Sequence, residues 1–198
     1  MSNLFDIETL PVGRWRNGGG DTREIATRAA ADPADFDWRA SIATISADGP
    51  FSAFPGVDRT ITLLAGGGVR LVGDDGLDHR LDRTGEPFAF SGESAVRATV
   101  LGAGTRVLNI MTRRGRWAAR VHRVTAPVAA PAGHAGVLYV LSAPDAPNTP
   151  DAPDTPAGDA PVPTLRAGQG LWWASGAAVP TAPLATGAIA LWADLRPL

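Results

Sequence analysis

The chain has 198 residues, of which 44% are hydrophobic, and its formal net charge is −2 at pH 7. It contains neither cysteine nor lysine, which excludes disulfides, thiol catalysis, thiolate metal sites and Schiff-base chemistry through a lysine amine. A nearly neutral chain also lacks the basic footprint that phosphate contacts require, so the sequence predicts no nucleic-acid partner.

The sequence also predicts no membrane partner. It has no uninterrupted apolar run of 18 residues that could form a transmembrane helix. Its first residues lack a basic segment followed by an apolar one, so no signal peptide is expected. Together with the absence of cysteine, these features favour a cytoplasmic location.

Short apolar and β-branched runs recur between glycine, proline and aspartate residues. Many strands of this length with frequent turns are typical of an all-β sandwich or barrel. An alanine-rich patch at 26–36 is expected to form a helical turn that Pro33 breaks. The strands are predicted at 42–45, 60–64, 69–72, 95–101, 107–111, 117–124, 137–141 and 188–192.

A run of three glycines, at 18–20, precedes the first of these strands. Glycine tolerates positive φ and close approach by other groups, so the run predicts either a tight turn or a binding loop. Asn17, Thr22 and Glu24 place hydrogen-bonding side chains beside it. Trp15 and Trp38 are compatible with core packing and with ligand stacking.

The strand predicted at 38–46 alternates between two faces. One face carries Arg39, Ser41 and Ala43, and the other carries Trp38, Ala40 and Ile42. The same alternation in the strand at 107–111 separates Asn109 and Met111 from Leu108 and Ile110. An amide therefore lies where a hydrophobic residue is expected, which indicates a polar patch on that face.

Arg59 is predicted to share a strand face with Ile61 and Leu63. An arginine aligned with apolar neighbours is costly unless it is paired or liganded. One interpretation is that Arg59 pairs with Glu24 or Asp48. The other is that its guanidinium binds a ligand carboxylate.

Aromatic residues Phe51 and Phe54 flank a turn that contains Ser52 and Pro55. They are compatible with plugs at the end of a barrel and with rings that stack on a ligand. If Phe51 and Phe54 converge with the polar groups above, the resulting pocket suits a small anionic or polar metabolite.

Histidine positions argue against a metal site. His79, His122 and His134 form no His-x-His pair, and the carboxylates of Asp74, Asp75 and Asp78 lack the ligand spacing of a calcium loop. Serines without an evident histidine partner give no nucleophilic site. The sequence therefore predicts no metal, no cofactor and no catalytic residue.

Basic residues cluster modestly between 113 and 123, which we interpret as a solvated strand face. The segment at 143–163 is rich in proline and aspartate and is predicted to be a loop between two strands. A proline-based partner motif is the alternative for this segment.

Four blocks of the chain resemble the HutD/Ves family. The family patterns are W-x-N-G-G-G-x-T-x-E-I, F-x-W-R-x-S-x-A, G-P-F-S-x-F-P-G-x-D-R and D-x-N-x-M-x-R-R, and they match residues 15–25, 36–43, 49–59 and 107–114. The acidic position of the last block is Val107 here, a departure that puts the role of that carboxylate in doubt.

The resemblance implies an all-β fold of two cupin-like β-barrels in one chain, a bicupin. We expect an N-terminal barrel at 1–115, which carries the motifs, and a C-terminal barrel at 116–198, which carries the loop. A homodimer is one assembly compatible with the sequence.

The resemblance further implies a small-molecule-binding protein that regulates or limits flux in histidine utilisation, the pathway of histidine catabolism. The expected ligand is a carboxylate intermediate such as N-formylglutamate or urocanate. The alternatives are a metal-free cupin enzyme, an isomerase or hydrolase with Glu24 as base, and a protein-interaction module built on Phe51 and Phe54. The predicted ligand-binding residues are Asn17, Thr22, Glu24, Arg39, Ser41, Phe51, Phe54, Arg59, Asn109 and Met111.

Overall fold

The computed structural model describes residues 2–32, 35–144, 164–176 and 184–198. In these ranges all regular secondary structure is β-strand. In chain order the strands are β1 (Ser2–Asp6), β2 (Val12–Arg14), β3 (Gly20–Ala29), β4 (Phe36–Ile45), β5 (Gly49–Pro50), β6 (Val57–Ala65), β7 (Val69–Gly73), β8 (Asp78–Leu81), β9 (Pro87–Ser91), β10 (Val96–Val100), β11 (Thr105–Arg113), β12 (Trp117–Val124), β13 (Ala135–Ser142), β14 (Gln169–Trp173) and β15 (Ile189–Pro197).

These strands form three antiparallel sheets. The six-stranded sheet has the order β2-β3-β4-β11-β6-β9, the four-stranded sheet β5-β10-β7-β8, and the five-stranded sheet β1-β14-β13-β15-β12. Six of the eight strands predicted from the sequence fall within strands of these sheets, and those at 95–101 and 188–192 extend one residue beyond β10 and β15, so the all-β class is confirmed.

Both faces of the six-stranded sheet are covered, which explains the two-sided pattern of β4 and β11. One face packs on the four-stranded sheet through a core that includes Ile45, Ile61, Leu63, Leu71 and Val96. The other face packs on the five-stranded sheet through a core that includes Trp38, Ile42, Ile110, Val137 and Leu195. Alternate residues of one strand therefore serve two different cores.

The alanine-rich patch shows where the sequence prediction was wrong. Residues 26–29 continue β3 as strand and pair with β4, with a register shift between Glu24 and Ala26. Ile25 and Ala26 are buried in the core shared with the five-stranded sheet, so tertiary packing overrides the helical preference of alanine. Pro33 lies outside the described residues.

The N-terminal strand pairs with the C-terminal half of the chain. Ser2–Asp6 runs antiparallel to β14, with Leu4 opposite Leu171. A division at residue 115 would thus assign β1 to one barrel while its hydrogen bonds lie in the other. The division itself stays a prediction, and most of the predicted loop, at 145–163, lies outside the described residues.

Within the described ranges, no helix has the length and hydropathy needed to cross a bilayer.

Candidate functional site

A cavity of about 760 Å³ opens on the face of the six-stranded sheet that packs against the four-stranded sheet. Its floor consists of strands β3, β4, β11 and β6, and its walls come from the segments at 13–17 and 50–54. The ten residues predicted as ligand-binding all line it, namely Asn17, Thr22, Glu24, Arg39, Ser41, Phe51, Phe54, Arg59, Asn109 and Met111. Their role in binding stays a prediction.

Strand pairing arranges the floor in rows that run across the sheet. Met111 lies between Arg39 and Arg59, and we call this the first row. Asn109 lies beside Ser41, which lies beside Glu24, and these form the second row. Val107, Ala43 and Thr22 form the third row. The rows follow from the alternation predicted for β4 and β11, since only every second residue faces the cavity.

Arg59 is the most buried charged group of the floor. Its side chain emerges from β6, and the residue is only 8% exposed. Its Nη2 donates to Asn109 Oδ1 at 3.2 Å and its Nη1 to the Ser52 carbonyl oxygen at 3.3 Å, while its Nε is buried without a hydrogen-bond partner. Both acceptors are neutral, so the charge of Arg59 has no counterion among the described residues.

Three phenyl rings surround the Arg59 guanidinium. Its Cζ lies 5.0 Å from the ring centroid of Phe90, 5.3 Å from that of Phe51 and 5.7 Å from that of Phe54. Burial, and to a lesser extent the charge of Arg39, lower the pKa of Arg59 to about 10. The ring faces attract a cation, but they replace its hydration only in part.

The structure rejects the interpretation that Arg59 pairs with Glu24 or Asp48. Glu24 Oε2 instead lies 2.9 Å from Arg39 Nε, off the ideal hydrogen-bond direction. The Asp48 carboxylate accepts from the Val100 amide at 2.8 Å. The register of β3 on β4 brings Glu24 to Ser41, two residues from Arg39, so the acid reaches Arg39 rather than the more distant β6.

The glycine run forms the turn that carries one wall of the cavity. Gly18 has φ +70°, a conformation that other residues rarely adopt. A Cβ on Gly20 would collide with the Thr44 carbonyl oxygen of β4, so close strand approach requires glycine there. Asn17 Oδ1 accepts from the Gly19 amide at 3.0 Å and fixes the turn. The run is therefore both a turn and part of the cavity.

The opposite wall, at 51–54, is held by backbone hydrogen bonds. The Phe51 amide donates to Val96 O at 2.8 Å and the Phe54 amide to Gly92 O at 2.6 Å. Arg113 Nη1 donates to the Pro55 carbonyl oxygen at 2.6 Å. Phe51 and Phe54 are half-buried, with their rings near Arg59 rather than fully exposed.

The arginines between 113 and 116 are engaged in ion pairs. Arg113 and Arg116 both bind the Asp35 carboxylate, and Arg114 Nη2 lies 2.8 Å from Asp58 Oδ1. Acidic partners thus neutralise this part of the basic cluster.

None of the three histidines lines the cavity. His79 stacks on Phe88 at 3.7 Å between ring centroids, and His134 Nδ1 lies 2.7 Å from Asp194 Oδ1. Among the described residues, no three His, Asp or Glu side chains come together in a group that could hold a metal ion. Asp78 is instead paired with Arg70, and Asp75 Oδ2 accepts from the Ser94 hydroxyl.

Sequence reasoning missed several residues that line the cavity, among them Arg14, Arg16, Ala43 and Val107, and it left open whether Trp15 packs in the core or faces a ligand. Position within the 15–25 block was a usable signal for Trp15 and Arg16. Ala43 and Val107 share faces with predicted residues, but small apolar side chains on a strand give no functional signal of their own.

Comparisons with known proteins assign the chain to a family. A family model described as HutD matches residues 7–191. The chain belongs to the HutD family. Its match to Protein Ves of Citrobacter koseri is 53% identical over 118 residues, which are 59% of this chain and 61% of that protein. The alignment therefore spans about three fifths of this curated relative.

Solved structures of similar fold cover the chain more fully. A conserved protein of unknown function from Pseudomonas aeruginosa PAO1 is 28% identical, covers 99% of each chain and has a TM-score of 0.74. HutD from Pseudomonas fluorescens SBW25, in a formate condition, is 24% identical, covers 100% of each chain and has a TM-score of 0.72. These solved structures share the all-β fold of the chain, and this chain is a HutD-type protein.

Proposed function

We propose that this HutD-family protein binds a small carboxylate in its cavity through Arg59. One observation carries the proposal: the Arg59 guanidinium is buried and without a counterion among the described residues, yet it lines an open cavity. A charge in such a place is costly unless a ligand supplies the opposite charge. A planar guanidinium with a free Nε suits a carboxylate, which accepts two parallel hydrogen bonds.

The surrounding groups fit this ligand class. Asn109 and Ser41 offer neutral polar atoms in the second row, while Phe51 and Phe54 restrict access of water to Arg59. Among the described lining residues, Glu24 is the only carboxylate and it lies beside Arg39, so the lining favours an organic anion over a metal ion.

The proposed role is to regulate or limit flux in histidine utilisation, in the cytoplasm. Family membership supports this role, and N-formylglutamate and urocanate are the carboxylates to test first. The solved structure of HutD from P. fluorescens is of a formate condition. Formate, the smallest carboxylate, is therefore a further probe.

The two alternatives are less well supported by the geometry. An enzyme with Glu24 as base requires that carboxylate to be free, whereas it lies 2.9 Å from Arg39 Nε. An interaction module requires an exposed apolar patch, whereas Phe51 and Phe54 are half-buried beside Arg59.

Thermal unfolding with each metabolite tests the proposal. A ligand at a hundred times its dissociation constant stabilises the fold by about 2.7 kcal/mol. For a chain of this size the melting temperature should rise by roughly 5–10 °C. We expect this rise in the wild type and its loss in Arg59→Met, because methionine fills the site but cannot bind a carboxylate.

Arg97→Met is the matched control, since Arg97 is exposed on β10 and lies outside the cavity lining. It should retain the full shift. Equal shifts in Arg59→Met and wild type would show that binding does not use Arg59. The absence of a shift with every acid tested would remove the carboxylate proposal.

A further inference from the structure

The cavity floor changes in polarity along the strands. The first row presents two guanidinium groups, and the second row presents the Glu24 carboxylate with an amide and a hydroxyl. In the third row Ala43 and Val107 lie beside Thr22, and Ile45 follows on the same face. Ala43, Val107 and Ile45 are at most 4% exposed and belong to the apolar core under the four-stranded sheet. Since two residues of a strand span about 7 Å, the charged first row lies roughly 14 Å from the apolar surroundings of the third row.

Trp15 stands at the apolar end of this floor. Its Nε1 donates to Thr22 Oγ1 of the third row at 2.7 Å. A Cβ on Gly20, which pairs with Ile45, would lie 3.2 Å from Trp15 Cε3, so the ring packs directly on that glycine. The one polar atom of the indole is thus satisfied within the protein. The half-buried ring lines the cavity with apolar surface.

Val107 keeps this end of the floor uncharged. The residue is fully buried between Ala43 and Leu63 of the neighbouring strands. A ligand carboxylate placed here would lose its hydration without meeting a charged donor from the floor. A planar, uncharged group would instead pack against the half-buried indole, which itself packs on this apolar core.

These contacts lead to an inference that rests on the proposed function and deepens it. We propose that Trp15 binds the uncharged end of the ligand, so that the cavity selects monocarboxylates with a planar unsaturated body over dicarboxylates of similar length. Of the two acids named above, this selects urocanate, a planar monocarboxylate, over N-formylglutamate, a dicarboxylate. The carboxylate lies at Arg59, and the body extends along the strands towards Trp15.

Two exposed arginines on the rim of the cavity offer a different way to bind a dicarboxylate. Arg14 and Arg16 flank Trp15 in the sequence, line the cavity and are exposed to solvent. A ligand with a second carboxylate would have to turn that group outwards to reach them. Preference for a dicarboxylate would therefore place the ligand differently from our proposal.

Isothermal titration calorimetry with three acids tests the inference. The probes are crotonate, trans-cinnamate, which adds a planar ring, and trans-glutaconate, which adds a second carboxylate. We expect trans-cinnamate to bind about tenfold more tightly than crotonate, because its aromatic ring can stack on the indole. trans-Glutaconate should bind no more tightly than crotonate.

Variants of Trp15, Thr22 and Arg59 distinguish stacking of the ligand on the indole from binding of its carboxylate. Trp15→Leu should weaken the binding of trans-cinnamate far more than that of crotonate and so lose the preference for trans-cinnamate, while Trp15→Phe should retain most of that preference. Thr22→Val keeps the indole and removes its hydrogen bond, so it should reduce the preference even if Trp15→Leu fails to fold. Arg59→Met should bind none of the acids.

The outcomes distinguish this inference from the function on which it rests. If the wild type binds none of the three acids, the carboxylate proposal fails. If it binds them equally, or binds trans-glutaconate most tightly, the proposal for Trp15 is overturned while carboxylate binding stands. An unchanged trans-cinnamate preference in both Trp15→Leu and Thr22→Val would also overturn it.

Discussion

At the scale of single residues, Arg59 combines the proposed binding function with a cost to the unliganded fold. Its charge is held by two neutral acceptors and three aromatic rings, without a carboxylate among the described residues. A buried charge without a partner is commonly tolerated only where function requires it. The residue proposed to bind the carboxylate should therefore also make the empty protein less stable.

Replacement of this charge should stabilise the empty protein. We expect Arg59→Met to raise the free energy of unfolding by about 1–2 kcal/mol, because methionine removes the desolvated charge and keeps much of the packing. Urea denaturation without ligand measures the change, and Arg97→Met should alter it by less than about 0.5 kcal/mol. A loss of stability in Arg59→Met would show that the ring contacts outweigh the cost of burial.

The stability gap between wild type and Arg59→Met should narrow at high pH. The folded-state pKa of Arg59 is about 10, well below its ordinary range, so the folded protein releases this proton before the unfolded chain does. Below pH 10 both states are charged and the full penalty applies. Above pH 10 the penalty falls. Urea denaturation at pH 8 and pH 11 tests this, and a constant gap would contradict the assigned cause.

The sequence predicted residues that line the cavity, but it did not predict which of their charged side chains pair with one another. Strand alternation alone places Arg39 and Ser41 on one face and sets Asn109 beside Met111. Whether Glu24 meets Arg39 or Arg59 depends on which strands are neighbours, and alternation carries no such information. The choice was settled by the β3–β4 register.

At the scale of elements, the β2–β3 hairpin depends on glycine for two separate reasons. Gly18 supplies the positive φ of the turn, and Gly20 allows β3 to approach the Thr44 carbonyl oxygen of β4. The glycine run was visible in the sequence as a turn signal, but the close approach at Gly20 depends on a strand that lies 24 residues further along the chain.

Alanine substitutions should separate these effects. Gly20→Ala should destabilise the protein by about 1–3 kcal/mol, because the added Cβ collides with backbone that cannot move without disturbing β4. Gly13→Ala is the matched control in the same hairpin, since its Cβ would lie 3.6 Å from Thr22 O, an ordinary contact. Chemical denaturation of both variants measures the difference, and similar losses at the two positions would refute the steric explanation.

At the scale of the whole molecule, the two halves of the chain share one core. Trp38, Ile42 and Ile110 from the six-stranded sheet pack against Val137 and Leu195 from the five-stranded sheet. Strand β1 adds a second connection, because it crosses from the N-terminus to pair with β14. The boundary expected near residue 115 separates two groups of strands along the chain, but residues from both groups pack in one core.

A fragment that ends at residue 115 should therefore not fold by itself. It would expose the apolar face of β4 and β11 and leave β1 without its partner strand. Near-ultraviolet circular dichroism should show no fixed aromatic environment, and co-expression with 116–198 should restore it. Cooperative unfolding of the isolated fragment would show that the halves are independent.

Alternate residues of β4 and β11 pack in two different cores, which constrains insertions and deletions in these strands. One residue inserted or deleted between Phe36 and Trp38, and not absorbed by a β-bulge, would exchange the two faces of the strand, moving Arg39 and Ser41 into the shared core and Trp38 into the cavity. Both cores would fail together. We therefore expect members of the family to differ in ligand preference by substitution at alternate positions of these strands, and to differ in length mainly in the connections between strands.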